Sequence, residues 1–359
     1  IEDPFLPNKL KEGRVEEIRE CIGCNICVSS DLRHVPIRCT QNPTMGEEWK
    51  RGWHPEIISP KKSEKEVMII GAGPAGLEAA RALGQRGYEV TLLDARKELG
   101  GRVLRESALP GLNEWRRVVD WRLTQIKKMK NVALYPSSPM TAEEVLESGT
   151  QNIMIAAGAT WRRDGVGRTL WKPIVGLDSG NVFTPDDLMT ANLESDSLLS
   201  KLWQQAPTPQ NFVIYDDDHY YLGGILAELL ASNGCNVSLV TPAPQVSYWS
   251  QFTLEQERIE SKLMKLGVKL FVQNVVSEIR ADSVIVSNTI SEAEVVLPRD
   301  GVVLVSDRTS NDALYYQLKP ALEDGRLQSL RVIGDAEAPN IIAQATVAGH
   351  LAAREVDEE

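Results

Sequence analysis

The stretch VMIIGAGPAGLEAARALGQRGYEVTLLD (residues 67–94) decides the fold. A short apolar run of the buried-strand type leads into a glycine loop. An amphipathic helix pattern that ends at Gly87 follows, and then a second strand. This succession is typical of a Rossmann-like nucleotide-binding unit. The sequence therefore predicts an α/β fold of the doubly wound, parallel-sheet kind.

The glycine loop has the spacing Gly71-x-Gly73-x-x-Gly76. Gly71 permits the tight turn, Gly73 lets the backbone approach a pyrophosphate, and Gly76 allows close packing of helix on strand. Asp94, about 20 residues further on, can accept hydrogen bonds from ribose hydroxyls and disfavours a 2′-phosphate. The predicted cofactor-binding loop consists of Gly71, Ala72, Gly73, Pro74, Ala75 and Gly76.

Two further pieces of sequence support an ADP-containing ligand, and Gly158 is an additional predicted cofactor residue. Gly101 and Arg102 follow the second strand, and Gly158 lies in the apolar strand IMIAAGA. Gly334 and Asp335 end the late strand LRVIGD, where a carboxylate can reach a ribose or ribityl hydroxyl. These pieces favour the flavin-disulfide-reductase branch of such folds. ADP and FAD share the moiety that they would bind, so the sequence leaves the two open.

A second strand–helix–strand unit begins at FVIYDDD (212–218). Here Asp216, Asp217 and Asp218 occupy the turn where a glycine loop is expected. A carboxylate close to a phosphate repels it by a few kcal/mol at an effective dielectric near ~20. We therefore predict a degenerate NAD(P)-type domain that accepts no hydride from NAD(P)H. A bound cation is the alternative, although three adjacent residues on one turn rarely converge on one ion.

The second unit is predicted to be inserted into the first, because the VIGD strand looks as though it returns to the first sheet. The predicted division has three parts: a cysteine-rich segment over 1–60, a nucleotide-binding domain over 65–185 and 325–359, and an inserted domain over 186–324.

The segment ECIGCNICVSSDLRHVPIRCT has the spacing Cys-x2-Cys-x2-Cys-x11-Cys. Three closely spaced thiolates can occupy three corners of a cubane, and a fourth closes it. A zinc site usually takes two separated cysteine pairs, which fits this spacing badly. Zinc and structural thiols stay open as alternatives, and Arg33, His34 and Arg38 are candidates for tuning the cluster's potential. The predicted [4Fe–4S] ligands are Cys21, Cys24, Cys27 and Cys39.

Composition excludes several classes of function. The net charge is -11, from 39 basic and 50 acidic residues, which argues against nucleic acid or an anionic membrane as a partner. No apolar run approaches the ~20 residues of a membrane-spanning helix. Four of the five cysteines lie within nineteen residues, which indicates a metal site in a reducing compartment, so we expect a cytoplasmic protein.

Together these motifs resemble the iron–sulfur flavoprotein amine dehydrogenases, the group of trimethylamine, dimethylamine and histamine dehydrogenase. The resemblance covers essentially the whole chain. It rests on DPFLPNKLKEGRVEEIRECIGCNIC, RCTQNPTMGEEWKRGWHPE, GAGPAGLEAAR, ALPGLNEWRR and VIGDAEAPNIIAQATVAGH.

The resemblance implies a division of labour. An N-terminal barrel, which does not precede IEDPFLPNKL here, would hold FMN and the amine substrate. Electrons would then pass through the [4Fe–4S] cluster to an electron-transferring flavoprotein, while the first nucleotide site holds ADP. The barrel would belong to the same chain or to a separate one, and a homodimer is expected.

Two other functions stay open from the sequence. One is a nicotinamide-dependent reductase of the dienoyl-CoA or enoate type, which the three aspartates oppose. The other is a non-catalytic electron-transfer subunit resembling the small subunit of glutamate synthase. A surface for the acceptor is suggested by Trp115, Arg116, Arg117 and Trp121, although an ordinary amphipathic helix would show the same pattern.

Overall fold

The computed structural model describes residues 1–193 and 210–358. The chain forms two compact units. The first comprises residues 1–107, 114–159 and 310 onward, and the second comprises residues 108–113 and 160–309. The chain passes between them in two short strands, β5 (Ala159–Trp161) and β14 (Arg308–Ser310).

The first unit is built on a five-stranded sheet of order β15-β4-β1-β2-β3 in which every neighbouring pair is parallel. The late strand therefore lies in the first sheet, paired with β4. The strands, numbered in chain order, are β1 (Glu66–Ile70), β2 (Glu89–Leu93), β3 (Val132–Tyr135), β4 (Asn152–Ile155) and β15 (Ser329–Val332).

Helices cover this sheet and carry the N-terminal segment. The glycine-loop helix Pro74–Arg86 ends at Gly87, whose φ of 95° is the left-handed conformation of a glycine cap. Among the described residues, no helix combines the length and apolarity needed to cross a membrane. The other α-helices of this unit are Leu6–Lys11, Ile26–Leu32, Glu48–Arg51, Arg102–Glu106, Arg117–Lys127, Ala142–Glu147, Ala313–Glu323 and Ile342–Arg354.

The second unit contains a parallel sheet of order β6-β13-β7-β8-β9 and an antiparallel sheet of order β10-β11-β12. Its described α-helices are Pro185–Leu193, Leu222–Ser232 and Gln256–Lys265. The strands are β6 (Val182–Phe183), β7 (Asn211–Asp216), β8 (Asn236–Thr241), β9 (Lys269–Val272), β10 (Asn274–Ile279), β11 (Ser283–Asn288), β12 (Glu294–Pro298) and β13 (Gly301–Val305). Two parallel sheets with helical crossovers confirm the predicted doubly wound α/β class.

The second unit begins earlier in the chain than residue 186, the predicted start of the inserted domain. Ile174 is buried and Val182 partly buried in the same apolar cluster as Val213 and Val302, so the loops after residue 160 contribute to the second core. The three predicted domains stay a prediction.

The glycine-loop helix and the C-terminal helix Ile342–Arg354 approach each other closely. A Cβ at Gly349 would lie 2.1 Å from the carbonyl oxygen of Ala75. Only a glycine fits this contact, and the small buried side chains of Ala345 and Ala353, one turn before and one turn after Gly349, permit the close approach of the two helices. The small-residue pattern of the last helix is thereby explained by packing.

A buried carboxylate, Glu78, joins the helices of the first unit. It lies in the glycine-loop helix and is fully shielded from solvent. Its oxygens accept hydrogen bonds from Arg81 Nη2 at 2.6 Å, Arg122 Nε at 2.9 Å and His350 Nδ1 at 2.9 Å. Burial alone would raise the pKa of Glu78, but the guanidinium groups of Arg81 and Arg122 outweigh it and hold the pKa well below its usual range.

The hydrogen bonds of His350 fix its neutral tautomer. Burial lowers the pKa of this histidine to about 4. Its Nδ1–H donates to Glu78, while Nε2 accepts from Arg354 Nε at 2.8 Å. A neutral imidazole thus links Glu78 to the last turn of the C-terminal helix.

The same network holds the irregular cysteine-rich segment. Arg122 donates to Gln41 Oε1 at 3.0 Å and to the Gln41 carbonyl at 3.1 Å. Trp121 Nε1 donates to the carbonyl of Glu17, and Arg117 Nη1 donates to the carbonyl of Cys21. Carbonyl groups outside regular structure need hydrogen-bond partners when they are buried away from water. Here side chains supply these hydrogen bonds, as neighbouring strands do in a sheet.

We expect Glu78→Gln to lower the free energy of unfolding by about 3–5 kcal/mol, because two buried guanidinium groups would lose their charged partner. Denaturant titration of the purified protein measures the change. Glu323→Gln is the matched control, since Glu323 is exposed on another helix of the same unit and should change stability by less than about 0.5 kcal/mol. Equal effects of the two substitutions would contradict the network's role.

Candidate nucleotide and cysteine sites

The glycine loop connects the end of β1 to the glycine-loop helix, where backbone N–H groups at the helix start face outward. Gly71 has a φ of 107°, and a Cβ there would lie 2.3 Å from the carbonyl oxygen of Ala156. A Cβ at Gly76 would lie 1.9 Å from the carbonyl oxygen of Gly71. The left-handed φ of Gly71 is compatible with the tight turn expected there, and the backbone contacts of Gly71 and Gly76 leave no room for a Cβ at either position.

Gly73 and Gly158 differ from those two glycines, because a Cβ at either would meet no atom within 4 Å among the described residues. The loop spacing selects glycine at position 73 although the polypeptide itself leaves room for a side chain. Open space beside a helix N-terminus, kept clear by glycine, fits a pyrophosphate that lies against the backbone.

The other predicted cofactor residues surround this loop. Asp94 Oδ2 accepts a hydrogen bond from the N–H of Ala72 at 2.7 Å. A Cβ at Gly101 would lie 2.9 Å from Gly73 Cα, and one at Gly334 would lie 2.7 Å from Ala75 Cβ. The structure therefore gathers residues from four distant stretches of sequence at the carboxyl end of one parallel sheet, where such folds bind ligands.

Arg102 and Asp335 form an ion pair at this edge. Arg102 Nη2 lies 3.1 Å from Asp335 Oδ2, and its Nε donates to Glu106 at 2.8 Å. Asp335 Oδ1 also accepts from the N–H of Asn340. The arginine brings a donor fork suited to phosphate and the aspartate an acceptor suited to a hydroxyl, so the pair has the chemistry that an ADP moiety needs.

The four predicted metal ligands lie in one segment of the first unit, and their thiols differ in exposure. Cys21 is exposed, whereas the others are partly buried. Burial raises the pKa of the Cys24 and Cys39 thiols. Hydrogen bonding by Thr40 at Cys24, and by the N–H groups of Asn42 and Gln41 at Cys39, lowers these pKa values, but the effect of burial is larger. In the ranges that the structure describes, no three His, Cys, Asp or Glu side chains form a group that could hold a metal ion. The structure does not show the predicted [4Fe–4S] cluster.

The structure places buried charges near the cysteine segment that sequence reasoning did not select. Arg33 and His34 are exposed, and Arg38 pairs with Glu47. Arg19 and Arg122 are buried instead, and the charges of both act on the Cys39 thiol. Arg19 could have been noticed as a charge two residues before Cys21. Arg122 gave no signal, because its partners Glu78 and Gln41 are far away in the sequence.

The aspartates of the second unit stand where the glycine loop of the first unit has its turn. Asp216 ends β7, and its carboxylate lies where a Cβ of Gly223 would be, at 2.6 Å from Oδ2. Asp217 Oδ2 accepts from the N–H of Thr169 at 2.8 Å, and Oδ1 lies 3.2 Å from His219 Nε2. Gly223 thus makes room for the Asp216 carboxyl group, and carboxyl side chains fill the turn that corresponds to the glycine loop of the first unit.

Adjacent aspartates have opposite pKa shifts in this turn. Burial, with the charge of Asp218 adding to it, raises the pKa of Asp216 to about 7. Burial also acts on Asp217, but the imidazole of His219 and the N–H of Thr169 outweigh it and lower the pKa. Near neutral pH the turn therefore combines the carboxyl group of Asp216, which is close to its pKa and partly protonated, with the ionised carboxylate of Asp217.

We expect Asp216→Asn to raise stability above pH 7. Asp216 has a higher pKa folded than unfolded, so its contribution is present below about pH 4 and is lost as the pH rises through about 7. Asp217→Asn should do the opposite: the contribution of Asp217 is present above the ordinary aspartate pKa and is lost in acid. Unfolding free energies of both variants between about pH 2 and 8 test this, because the contribution of Asp217 is lost only below about pH 4. Parallel pH profiles of the two variants would refute the prediction.

Comparison with known proteins agrees with this architecture. Residues 69–134 match the family model of the NAD(P)-binding Rossmann-like domain. The thioredoxin reductase of T. acidophilum shares the fold alone, with a TM-score of 0.54 and 16% identity over 81% of this chain and 97% of that one. The flavin-disulfide-reductase-like fold predicted from the sequence is thereby supported.

Relatives among the amine dehydrogenases match essentially the whole chain. The dimethylamine dehydrogenase of Hyphomicrobium sp. is 39% identical over 100% of this chain and 51% of its own length. The structure of histamine dehydrogenase from Rhizobium sp. 4-9 superposes with a TM-score of 0.93 and 47% identity over 99% of this chain and 54% of that one. The chain thus spans about half the length of these relatives. The resemblance found in the sequence is confirmed: dimethylamine dehydrogenase and histamine dehydrogenase are close homologues of this chain, which is consistent with the C-terminal portion of that family.

Proposed function

We propose that this chain is the electron-transfer portion of an amine dehydrogenase. An amine would be oxidised at FMN in an N-terminal barrel, in the same chain or a separate one, and a [4Fe–4S] cluster here would pass the electrons to an electron-transferring flavoprotein. The observation that carries the proposal is the arrangement of the cysteine segment, in which Cys21 reaches the surface while Cys24, Cys27 and Cys39 are partly buried. A centre held there would connect the interior with a docked acceptor.

The cysteine segment has the chemistry that a cluster needs. Cys21, Cys24, Cys27 and Cys39 would each bind a different iron, so their sulfur atoms need not converge on a point as ligands of one ion do. The backbone N–H groups of Gln41 and Asn42 act to lower the pKa of the Cys39 thiol, as donors near a sulfur that carries charge are expected to do. When bound, the cluster would supply one-electron transfer, and zinc would supply none.

The nucleotide site would hold ADP or FAD. The open space at Gly73 and Gly158 would take the pyrophosphate, Arg102 would meet its charge, and Asp94 and Asp335 would bind ribose or ribityl hydroxyls. The resemblance to the amine dehydrogenases favours ADP. Within that group, the wording CNICVSS and PIRCTQNPTMGEEW favours a histamine dehydrogenase.

The second unit would take no nicotinamide. The ionised carboxylate of Asp217 and the buried carboxyl of Asp216 fill the turn against which a pyrophosphate would lie. The sequence after this turn, SLVTPAPQVS, offers neither a ribose-binding acid nor an arginine for NADP. This opposes the alternative of an NAD(P)H-dependent dienoyl-CoA or enoate reductase.

The first test is to denature the purified protein and to identify what it releases. We expect ADP together with about four irons and four acid-labile sulfides per chain, and no bleaching of the native protein by NADH or NADPH. FAD in place of ADP would favour the reductase or the glutamate-synthase-like alternative, and protein without iron and sulfide would reject the proposal.

Gly73→Ala is the matched variant for this test. A methyl group at Gly73 meets nothing within 4 Å in the described chain, so the free energy of unfolding of the nucleotide-free protein should change by about 1 kcal/mol or less. The methyl group would nevertheless occupy the place of the pyrophosphate. Retained nucleotide in this variant would contradict the assignment of the loop.

The acceptor would dock beside Cys21. Arg117 donates to the carbonyl of Cys21, and Arg116 on the next position is exposed. Trp115 is only 9% exposed, so it packs inside rather than meeting a partner. The exposed surface beside Cys21 is therefore charged rather than aromatic, with Arg116 paired to Asp120 and Arg117 paired to Glu20 and Glu114. Charged side chains of this kind can be matched by a partner of complementary charge.

We expect Arg116→Glu to slow reduction of an electron-transferring flavoprotein by about tenfold at low salt, because reversing an interfacial charge acts on the association rate. Stopped-flow measurements over a range of ionic strength check this, and the effect should shrink at high salt. Lys130→Glu is the control, since Lys130 is exposed beyond the far end of the same helix. An equal effect of both reversals would reject this docking position. Arg117 is left unchanged because it holds the backbone of the cysteine segment.

A further inference from the structure

Arg19 is a buried cation without a full set of partners. Its side chain lies in the first unit and the residue is 3% exposed. Within the described part of the chain, its Nε and Nη2 atoms are shielded from solvent and make no hydrogen bond. Leaving the donors of a charged group unpaired in the interior costs free energy. We therefore look for an acceptor or an anion that could lie beside the Arg19 guanidinium.

The backbone holds this guanidinium near the cysteines. Arg19 stands two residues before Cys21, and its N–H donates to Asp3 Oδ2 at 2.8 Å. Its guanidinium carbon lies 5.2 Å from the ring centre of Trp121. Trp121 is in turn fixed by its bond to the Glu17 carbonyl. The charge of Arg19 acts on the Cys39 thiol, at the other end of the ligand set from Cys21.

The interior around Arg19 carries more positive than negative charge. Arg19, Arg81 and Arg122 act on one another and on the single carboxylate of Glu78. Asp3 is shared with the buried amine of Lys9, at 2.8 Å. An anionic group beside these arginines would correct the imbalance. Four thiolates around an iron–sulfur core make such a group, and its negative charge grows by one on reduction.

We propose that Arg19 raises the reduction potential of the cluster that Cys21, Cys24, Cys27 and Cys39 would hold, by placing an unpaired buried guanidinium beside it. The inference rests on the proposed function, because it needs the cluster. Arg19 would act on the cluster through its charge and would not be a ligand of it. It stabilises the reduced state more than the oxidised state, because the reduced cluster carries the extra negative charge.

The other cations of the ligand loop do not have this property. Arg33 and His34 are exposed, where water and salt screen a charge. Arg38 pairs with Glu47, whose other oxygen accepts from Arg51. Arg122 is buried but is committed to Glu78 and Gln41. Arg19 alone among these five residues combines burial with donors that no described atom accepts.

The test is a potentiometric titration of the purified protein, followed by the electron paramagnetic resonance signal of the reduced cluster. In Arg19→Gln the equilibrium constant for one-electron reduction should fall about tenfold, which lowers the reduction potential by about 59 mV. Arg19→Lys keeps the charge and should keep most of the wild-type potential. Arg33→Gln removes the same charge from the exposed part of the loop and should leave the potential unchanged. The Arg19→Gln shift should persist at high salt, because a buried charge is screened little.

The outcomes separate this inference from the function on which it rests. Arg19→Gln with four irons and an unchanged potential would overturn the inference and leave the cluster in place. A shift of equal size in Arg33→Gln would also overturn it. If Arg19→Gln does not retain its iron, Arg19→Lys decides: a potential close to the wild-type value supports a role for the charge, and a tenfold fall sinks it. Wild-type protein without iron and sulfide would overturn the proposed function itself.

Discussion

The buried carboxylate of Glu78 is the constraint on which the first unit depends. A carboxylate without water must be paired, and each of its partners comes from a different position in the fold. Arg81 lies one turn further along the same helix, Arg122 comes from the helix Arg117–Lys127, and His350 comes from the C-terminal helix. The charge therefore fixes the register of three helices at once. Apolar packing would permit several similar registers, whereas a buried ion set permits one.

This constraint also links the two candidate sites without any shared ligand. Glu78 is two residues beyond Gly76 of the nucleotide loop, and its partner Arg122 holds both the side chain and the carbonyl of Gln41, two residues after Cys39. A shift of the glycine-loop helix would thus be transmitted to the cysteine segment through two side chains. This gives a bound nucleotide a structural role even where it takes no part in electron transfer, because it would hold the end of the helix that carries Glu78.

The second unit shows how the same architecture can keep its packing when side chains fill the turn that corresponds to the glycine loop. In the first unit glycine at position 73 leaves the space before the helix open, and in the second unit Asp216 and Asp217 fill it. Two neighbouring carboxyl groups can fill this turn because their environments shift their pKa values in opposite directions. Asp217 keeps its charge beside His219 and the Thr169 N–H, while burial favours the protonated form of Asp216. Gly223 and Gly224 remain, and their close neighbours are the side chains of Asp216, Ser247 and Ile259 rather than a phosphate.

The sequence predicted local patterns well, and it could not predict pairings between distant residues. The glycine loop, its helix cap at Gly87, the parallel sheets and the clustered cysteines follow from spacing within about thirty residues, where periodicity and turn chemistry act. Arg122 belongs to RRVVDWR, a pattern that describes an exposed amphipathic helix equally well, and its burial depends on Glu78 and Gln41, which approach only in the folded chain. The same holds for Arg19, whose position before Cys21 is visible while its lack of partners is not. Sequence patterns assign charged residues to the surface by default. The burial of several charged residues together is therefore the feature that sequence reasoning is least able to predict. In this chain that set surrounds the segment to which the chemistry is assigned, which is why the residues expected to tune it could be named only after the fold was known.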